Sequence, residues 1–275
     1  MIKLYQFRRT WGIPNQSHFS CKVETYLRFA GLEYEMVVTL PTIAPKGKLP
    51  YIEDGENIVA DSDFIIRYLK EAYGDTLDSA LTPEQEAIGI AVRRLCDDHL
   101  FWATMYTRWD YSDENWNTIE DTIFHAAPLP KWMQHFGALF FRREIRRQIY
   151  CHGLGRHQPE EVFQLAKDDV DALSALLAEK PYFFGSKPSS VDACIFGFLI
   201  NTLGCPIESP IKEYALTKPN LVAYCDRIMS EYYSDISREY KSGDLPEFSF
   251  SDYVATFRSM MRLAFGLTAL RVSKR

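Results

Sequence analysis

The chain has 275 residues, 47% hydrophobic and 25% charged, with 31 basic against 37 acidic side chains and a net charge of −6. That length holds one or two domains and a core that needs no disulfide or metal staple, and the composition excludes wholesale disorder, collagen-like repeats and a multi-span membrane protein. The acidic balance has the wrong sign for a protein that lives on a phosphate backbone, so nucleic acid is not expected as a partner.

Ile2 to Phe7 alternates apolar and polar residues and predicts a strand. A loop, Arg8 to Gln16, carries Gly12, Pro14 and Asn15 as breakers. Ser17 to Ala30 turns helical, with Phe19, Val23, Leu27 and Ala30 on one face and Gly31 as the stop. Tyr34 to Leu40 reads as a second strand. Residues 49–53 and 58–60 flank Asp54-Gly55 and predict a hairpin. Ser62 to Tyr73 is helical again, ended by Gly74. The order β-α-β-β-β-α suits a thioredoxin-like half-domain.

Asp75 to Thr82 reads as a linker. Thr82 as N-cap and Pro83 at the first helical position then open a long aromatic-rich helical stretch that runs through Glu86 to Trp109. Pro128-Leu129-Pro130 breaks the pattern, and Trp132 to Tyr150 resumes it with Arg142, Arg143, Arg146 and Arg147 on its polar side. Further helices are expected at Pro159 to Glu179, Ser189 to Leu203 and Asn220 to Tyr232, with a break at Pro206 and Pro210. No strand is expected after residue 60. This places a thioredoxin-like domain at 1–76, an all-α domain at 83–235 and a helical extension at 236–275.

The six cysteines (Cys21, Cys96, Cys151, Cys194, Cys205 and Cys225) form no CxxC pair, and no histidine stands at zinc-finger spacing. They predict reduced thiols in a cytoplasmic protein, with no metal site. Residues 1–7 lack the apolar run of a signal peptide. No run approaches 18 apolar residues, so no transmembrane helix is expected; the nearest, Met260 to Val272, is interrupted by Arg262, Gly266, Thr268 and Arg271 and reads as amphipathic.

Four places carry candidate chemistry. Ser17 opens a helix, where unpaired N–H groups and the positive dipole end favour an anion such as a thiolate; it also reads simply as an N-cap. Leu49-Pro50 opens a strand; a cis bond there turns the Leu49 backbone outward toward a peptide-like ligand, whereas a trans proline is ordinary. Asp61 and Ser62 precede a helix and suit either a ligand's ammonium and carboxylate or plain capping. Ser189 and Asp192 read as a structural capping box. Cys21 lies one turn past Ser17, as a buried packer or as a thiol activated by the helix start.

The stretches SHFSCKVETYLRFAGLEYE (Ser17 to Glu35), GKLPYIED (Gly47 to Asp54), ADSDFIIRYL (Ala60 to Leu69) and SSVDA (Ser189 to Ala193), in this order, resemble the glutathione transferase superfamily. CKVETYLRFAG (Cys21 to Gly31), APKGKLPYIED (Ala44 to Asp54) and HLFWATMYTRW (His99 to Trp109) look like its failed-axon-connections branch, which is related to the metaxins.

The resemblance implies glutathione as co-substrate, held between a thioredoxin-like and a helical domain. It implies Ser17 as the catalytic hydroxyl, Leu49 beside a cis Pro50 on the cysteinyl backbone, and Asp61 and Ser62 on the γ-glutamyl end. Lys46 or Lys48 is left to meet the glycine carboxylate. It also implies a homodimer acting on a small hydrophobic electrophile, with Phe101, Trp102, Tyr106 and Trp109 as pocket-lining candidates and at least half of them expected in the core. No tyrosine stands at the usual activating position unless Tyr5 serves, and Tyr5 lies inside the first strand. The rival expectations are a non-catalytic binding or scaffold protein of metaxin type, with the Arg142 to Arg147 segment as a partner surface, and a thiol oxidoreductase using Cys21.

Overall fold

The computed structural model describes residues 1–123 and 131–236. Strands β1 (Ile2–Gln6), β2 (Tyr34–Val38), β3 (Tyr51–Asp54) and β4 (Asn57–Ala60) form one sheet in the order β2-β1-β3-β4. β2 runs parallel to β1, joined to it across helix α1 (His18–Phe29); β3 and β4 are antiparallel. Gly55, at φ 60°, takes the left-handed turn of the β3–β4 hairpin. Only a 3₁₀ turn, Pro41–Ile43, stands between β2 and β3, so this half is leaner than a doubly wound sheet. Helix α2 (Ser62–Tyr73) follows β4 and covers the sheet with Ile65, Ile66 and Leu69.

Among the described residues every named element after residue 60 is a helix, with one isolated bridge between Tyr182 and Gly185 in a connecting loop. Helix α3 (Pro83–Arg94) has the capping box that Thr82 and Gln85 make. The stretch expected as one long helix is continuous but not uniform. A π-helical turn (Leu95–Leu100) separates α3 from α4 (Phe101–Trp109) and turns Cys96, Asp97 and Leu100 inward. There follow α5 (Asp113–Ile123), α6 (Lys131–His152), α7 (Pro159–Leu177), α8 (Ser190–Leu203), α9 (Pro210–Leu216) and α10 (Pro219–Tyr232). Sequence reading did not anticipate α5 or α9. The Pro210 taken as a break is the first residue of α9, with Ser209 as its cap. Pro128-Leu129-Pro130 and residues 237–275, which include the tail expected as an amphipathic helix, lie outside the described residues.

Helix α1 sits in the middle of the molecule. Val23, Tyr26 and Leu27 enter the core beneath the sheet, while Cys21 on another side joins the helical core. There α8 lies against α1 with Gly197 at the crossing; a Cβ on Gly197 would stand 2.8 Å from the His18 carbonyl oxygen. Asp192 organises the start of α8 as expected. Its carboxylate accepts from the Ser189 N–H (2.8 Å) and hydroxyl (2.6 Å) and from the Phe183 N–H (2.9 Å). In the linker, Asp78 accepts from Lys70 of α2 and from the Ser190 N–H at 2.8 Å, stitching the two halves together.

Candidate functional site at one end of the sheet

The register brings three of the four candidate segments to one end of the sheet, the Ser189–Asp192 capping box being at the start of α8 instead. Tyr5, near the end of β1, faces Tyr51 at the start of β3, and Tyr51 faces Ala60 at the end of β4. The loop from β1 into α1, the Leu49-Pro50 bond and the start of α2 therefore share that end. The Leu49-Pro50 peptide is cis.

Ser17 is the N-cap of α1. Its N–H donates to Asn15 Oδ1 (3.0 Å), and its Oγ accepts from the Ser20 N–H (3.3 Å). That hydroxyl makes no further hydrogen bond among the described residues, so its proton is free to be donated to an anion seated on the helix end. Asp61 is the N-cap of α2 and accepts from the Asp63 N–H at 3.1 Å. It holds φ 89°, a left-handed backbone that a residue with a Cβ adopts at a cost of about 1–3 kcal/mol. Ser62, the first residue of α2, is buried. Lys46 lies 4.7 Å over the ring of Phe64, on the first turn of the same helix, whereas Lys48 is exposed and makes no such contact.

The remaining candidates sort clearly. Tyr5 stacks on Tyr51 and donates its hydroxyl to Glu53 at 2.6 Å, so that proton is committed within the sheet; burial and that carboxylate push its pKa up. The Cys21 thiol donates to the Asn15 carbonyl and receives the Asn201 amide, and burial pushes its pKa up to about 12. It is a packer, as the milder reading had it. Tyr106 and Trp109 are core residues; Phe101 and Trp102 are half-buried, Phe101 against His18 and Phe19, Trp102 stacked on His152. The basic run on α6 is largely neutralised: Arg142 pairs with Asp113, Arg146 with Asp110 and Arg147 with Glu144.

Sequence reasoning missed the polar residues that build the Ser17 end of α1 from the helical side. Arg108 of α4 is buried and donates to the Gln16 carbonyl at 2.9 Å and to Asn201 Oδ1 at 2.8 Å. Asn201 donates in turn to the Asn15 carbonyl. His18 meets the Thr104 hydroxyl at 3.1 Å; burial, aided by the nearby Arg108 charge, drives its pKa well below the ordinary value and keeps it neutral. Trp11 and Arg8 donate to Thr122 of α5. The loop that presents Ser17 is thus clamped by α4, α5 and α8. The sequence does carry a signal: His18, Ser20, Lys22, Glu24 and Thr25 are polar yet share a helix with core residues, which marks a helix buried on nearly every side.

Among the described residues no group of three or more His, Cys, Asp or Glu is placed to hold a metal, and no helix is long and apolar enough to cross a membrane.

A thioredoxin-like sheet, an all-helical second half and a cis-proline loop beside two helix N-termini define a glutathione transferase fold. The chain belongs to the glutathione S-transferase family: residues 18–115 match the glutathione S-transferase N-terminal domain and residues 166–228 the C-terminal domain. It is 38% identical over 238 residues to the isoprene-epoxide–glutathione S-transferase of Rhodococcus sp. (strain AD45), covering 84% of this chain and 99% of that protein. It is 35% identical over 248 residues to Failed axon connections of Drosophila melanogaster, covering 86% of this chain and 59% of that one. Metaxin-2 of Mus musculus is 30% identical over 220 residues, 78% of this chain and 82% of that one. Among solved structures, a beta-etherase from Sphingobium sp. strain SYK-6 superposes with a TM-score of 0.57 at 21% identity, over 86% of this chain and 98% of that chain. A Methylobacterium radiotolerans glutathione S-transferase in complex with glutathione sulfonate gives 0.55 at 16% identity, over 90% and 99%. These two likenesses speak to the fold.

Proposed function

We propose that the protein is a glutathione transferase that joins glutathione to a small hydrophobic electrophile, with Ser17 as the catalytic hydroxyl. The observation that carries this reading is the Ser17 cap itself: a hydroxyl with an uncommitted proton at the N-terminus of a buried helix. A thiolate bound there gains a hydrogen bond and the helix dipole, which is the chief demand of the reaction. The Leu49 backbone beside cis Pro50 takes the cysteinyl part of glutathione, and Asp61 and Ser62 take the γ-glutamyl end. The thiol proton leaves to solvent, and the sulfur attacks an electrophilic carbon. A sulfur–carbon bond forms as the bond to the leaving atom breaks. The isoprene-epoxide transferase relative favours an epoxide, whose ring C–O bond opens and whose oxygen takes a proton from water. Half-buried Phe101 and Trp102 are the lining candidates for that partner.

The same reading assigns residues 1–76 to the glutathione-binding domain, 83–235 to the helical domain and 236–275 to an extension. It makes the protein a cytoplasmic homodimer with a detoxifying role. Ser17→Ala tests it. With glutathione and an epoxide, kcat/KM should fall about 10²- to 10³-fold, and the thiol pKa of bound glutathione should rise, read from thiolate absorbance. An unchanged thiol pKa rejects Ser17.

A second reading, a non-catalytic scaffold, rests on the Failed axon connections and metaxin relatives. Calorimetry decides between the two: no heat of binding at about millimolar glutathione supports the scaffold.

A further inference from the structure

Lys22 stands in the interior of the protein, its side chain 1% exposed, between two carboxylates from different elements. Its Nζ lies 2.6 Å from Asp63 Oδ1 on the first turn of α2 and 2.8 Å from Asp97 Oδ2 in the π-helical turn. Asp63 is held from a second side by Arg93 at 3.5 Å, and Asp97 also receives the Cys194 thiol at 3.6 Å from α8. An ammonium this deep loses its hydration, and two carboxylates lose part of theirs. A methionine of similar volume is commonly no less stable in such a place, so stability alone is a poor reason for the arrangement. What a charged three-way contact does supply is geometry: it is satisfied only when α1, α2 and the π turn stand at one spacing.

That spacing matters because of what lies beside it. Lys22 is on the helix whose N-terminus carries Ser17. Asp63 follows Asp61 and Ser62, and its own N–H is the one that caps on Asp61. One cation therefore ties the helix end that holds sulfur to the helix end that holds the γ-glutamyl group, and ties both to the helical half.

The geometry points to Lys22 as a positioning residue that fixes the α2 N-terminus relative to Ser17, through Asp63 and Asp97, and so sets the affinity for glutathione. This inference rests on the glutathione-binding reading above. Lys22 touches no substrate; it acts through the residues that do.

Two variants test it, with glutathione as the probe: Lys22→Met, and the charge-free Lys22→Met/Asp63→Asn/Asp97→Asn. In Lys22→Met the Kd and KM for glutathione should rise about tenfold while kcat at saturation changes less than about threefold. The thiol pKa of bound glutathione should stay put, and amide exchange over residues 62–66 should quicken. The charge-free variant should recover the denaturation midpoint of the wild type yet keep the weak affinity and the fast exchange. Recovery of both stability and affinity overturns the proposal, because Lys22 then only neutralises buried carboxylates. A folded Lys22→Met that binds glutathione within about twofold of the wild type overturns it too. A wild type that takes up no glutathione overturns the parent reading instead, and is seen before any variant is made.

Discussion

The α1–α8 crossing offers the sharpest quantitative test. Substituting Gly197→Ala adds one methyl group where the two helices meet. Its Cβ would lie 2.8 Å from the His18 carbonyl oxygen, 3.0 Å from the Lys22 amide nitrogen and 3.2 Å from Cys21 Cβ. Ordinary contact begins near 3.4 Å, so the helices must part by roughly 0.6 Å, and backbone atoms cannot swing aside as side-chain ends do. Overpacking of this kind costs about 1–3 kcal/mol, against a helix-propensity gain of about 1 kcal/mol for replacing glycine with alanine. Gly89→Ala in α3 is the internal control: its Cβ meets Phe184 at 3.6 Å, so only the propensity gain applies. Urea unfolding of both variants should place Gly89→Ala at or above the wild type and Gly197→Ala below Gly89→Ala by about 1–3 kcal/mol at unchanged slope. Two variants of equal stability would refute the close approach of α8 to α1.

Three further outcomes follow from the described residues. At about pH 8 the native protein should take up one equivalent of a thiol reagent, at exposed Cys151, and none in Cys151→Ser; labelling of Cys21 in the native state contradicts its burial and raised pKa. Asp192→Ala leaves the buried N–H groups of Phe183 and Ser189 and the hydroxyl of Ser189 without their acceptor, while Tyr224 keeps the backbone carbonyl at 2.9 Å, so unfolding free energy should drop by about 3 kcal/mol or more in a denaturant titration. Burial is the largest single influence on the Asp63 carboxyl and raises it, but the Lys22 charge and hydrogen bond, together with the Arg93 and Arg94 charges, outweigh it and the net shift is down from 3.8. A lowered acid stabilises the fold above its unfolded pKa and ceases to as pH falls through the folded one. The stability gap between wild type and Asp63→Asn should therefore hold constant near about pH 6 and close below 3.8; a gap that widens on acidification rejects the pairing.

Local signals made much of the fold legible. The Ile2–Gln6 alternation, the Asp54-Gly55 hairpin, the Ser62 start and Gly74 stop of α2 and the Thr82-Pro83 opening of α3 are each set by residues next to one another in the chain. The short α5 and α9 escaped notice because a few turns of mixed polarity give little periodicity, and a proline at a first helical turn looks like a proline that ends one. The candidate site was legible where backbone chemistry marks it, at Ser17, Pro50 and Asp61. The rest of its construction was not. Arg108, Asn201 and Thr104 reach the Ser17 loop from 86 to 186 residues away, through contacts along no periodic stripe. Lys22 sits at a position where a helix of ordinary pattern would put a surface lysine; only the packing of α1 on all sides turns it inward.

Helix α1 belongs to two cores at once, with Leu27 beneath the sheet and Cys21 in the helical half. Neither half is then a module that can be cut out or exchanged. A chimera that joins residues 1–76 of this chain to the helical half of a relative must match its new α8 to this α1 at Gly197, His18 and Lys22, or the helix end presenting Ser17 loses its seat. In the divergence of such proteins, the seat of the Ser17 cap and the packing between the halves are constrained by the same twelve-residue helix.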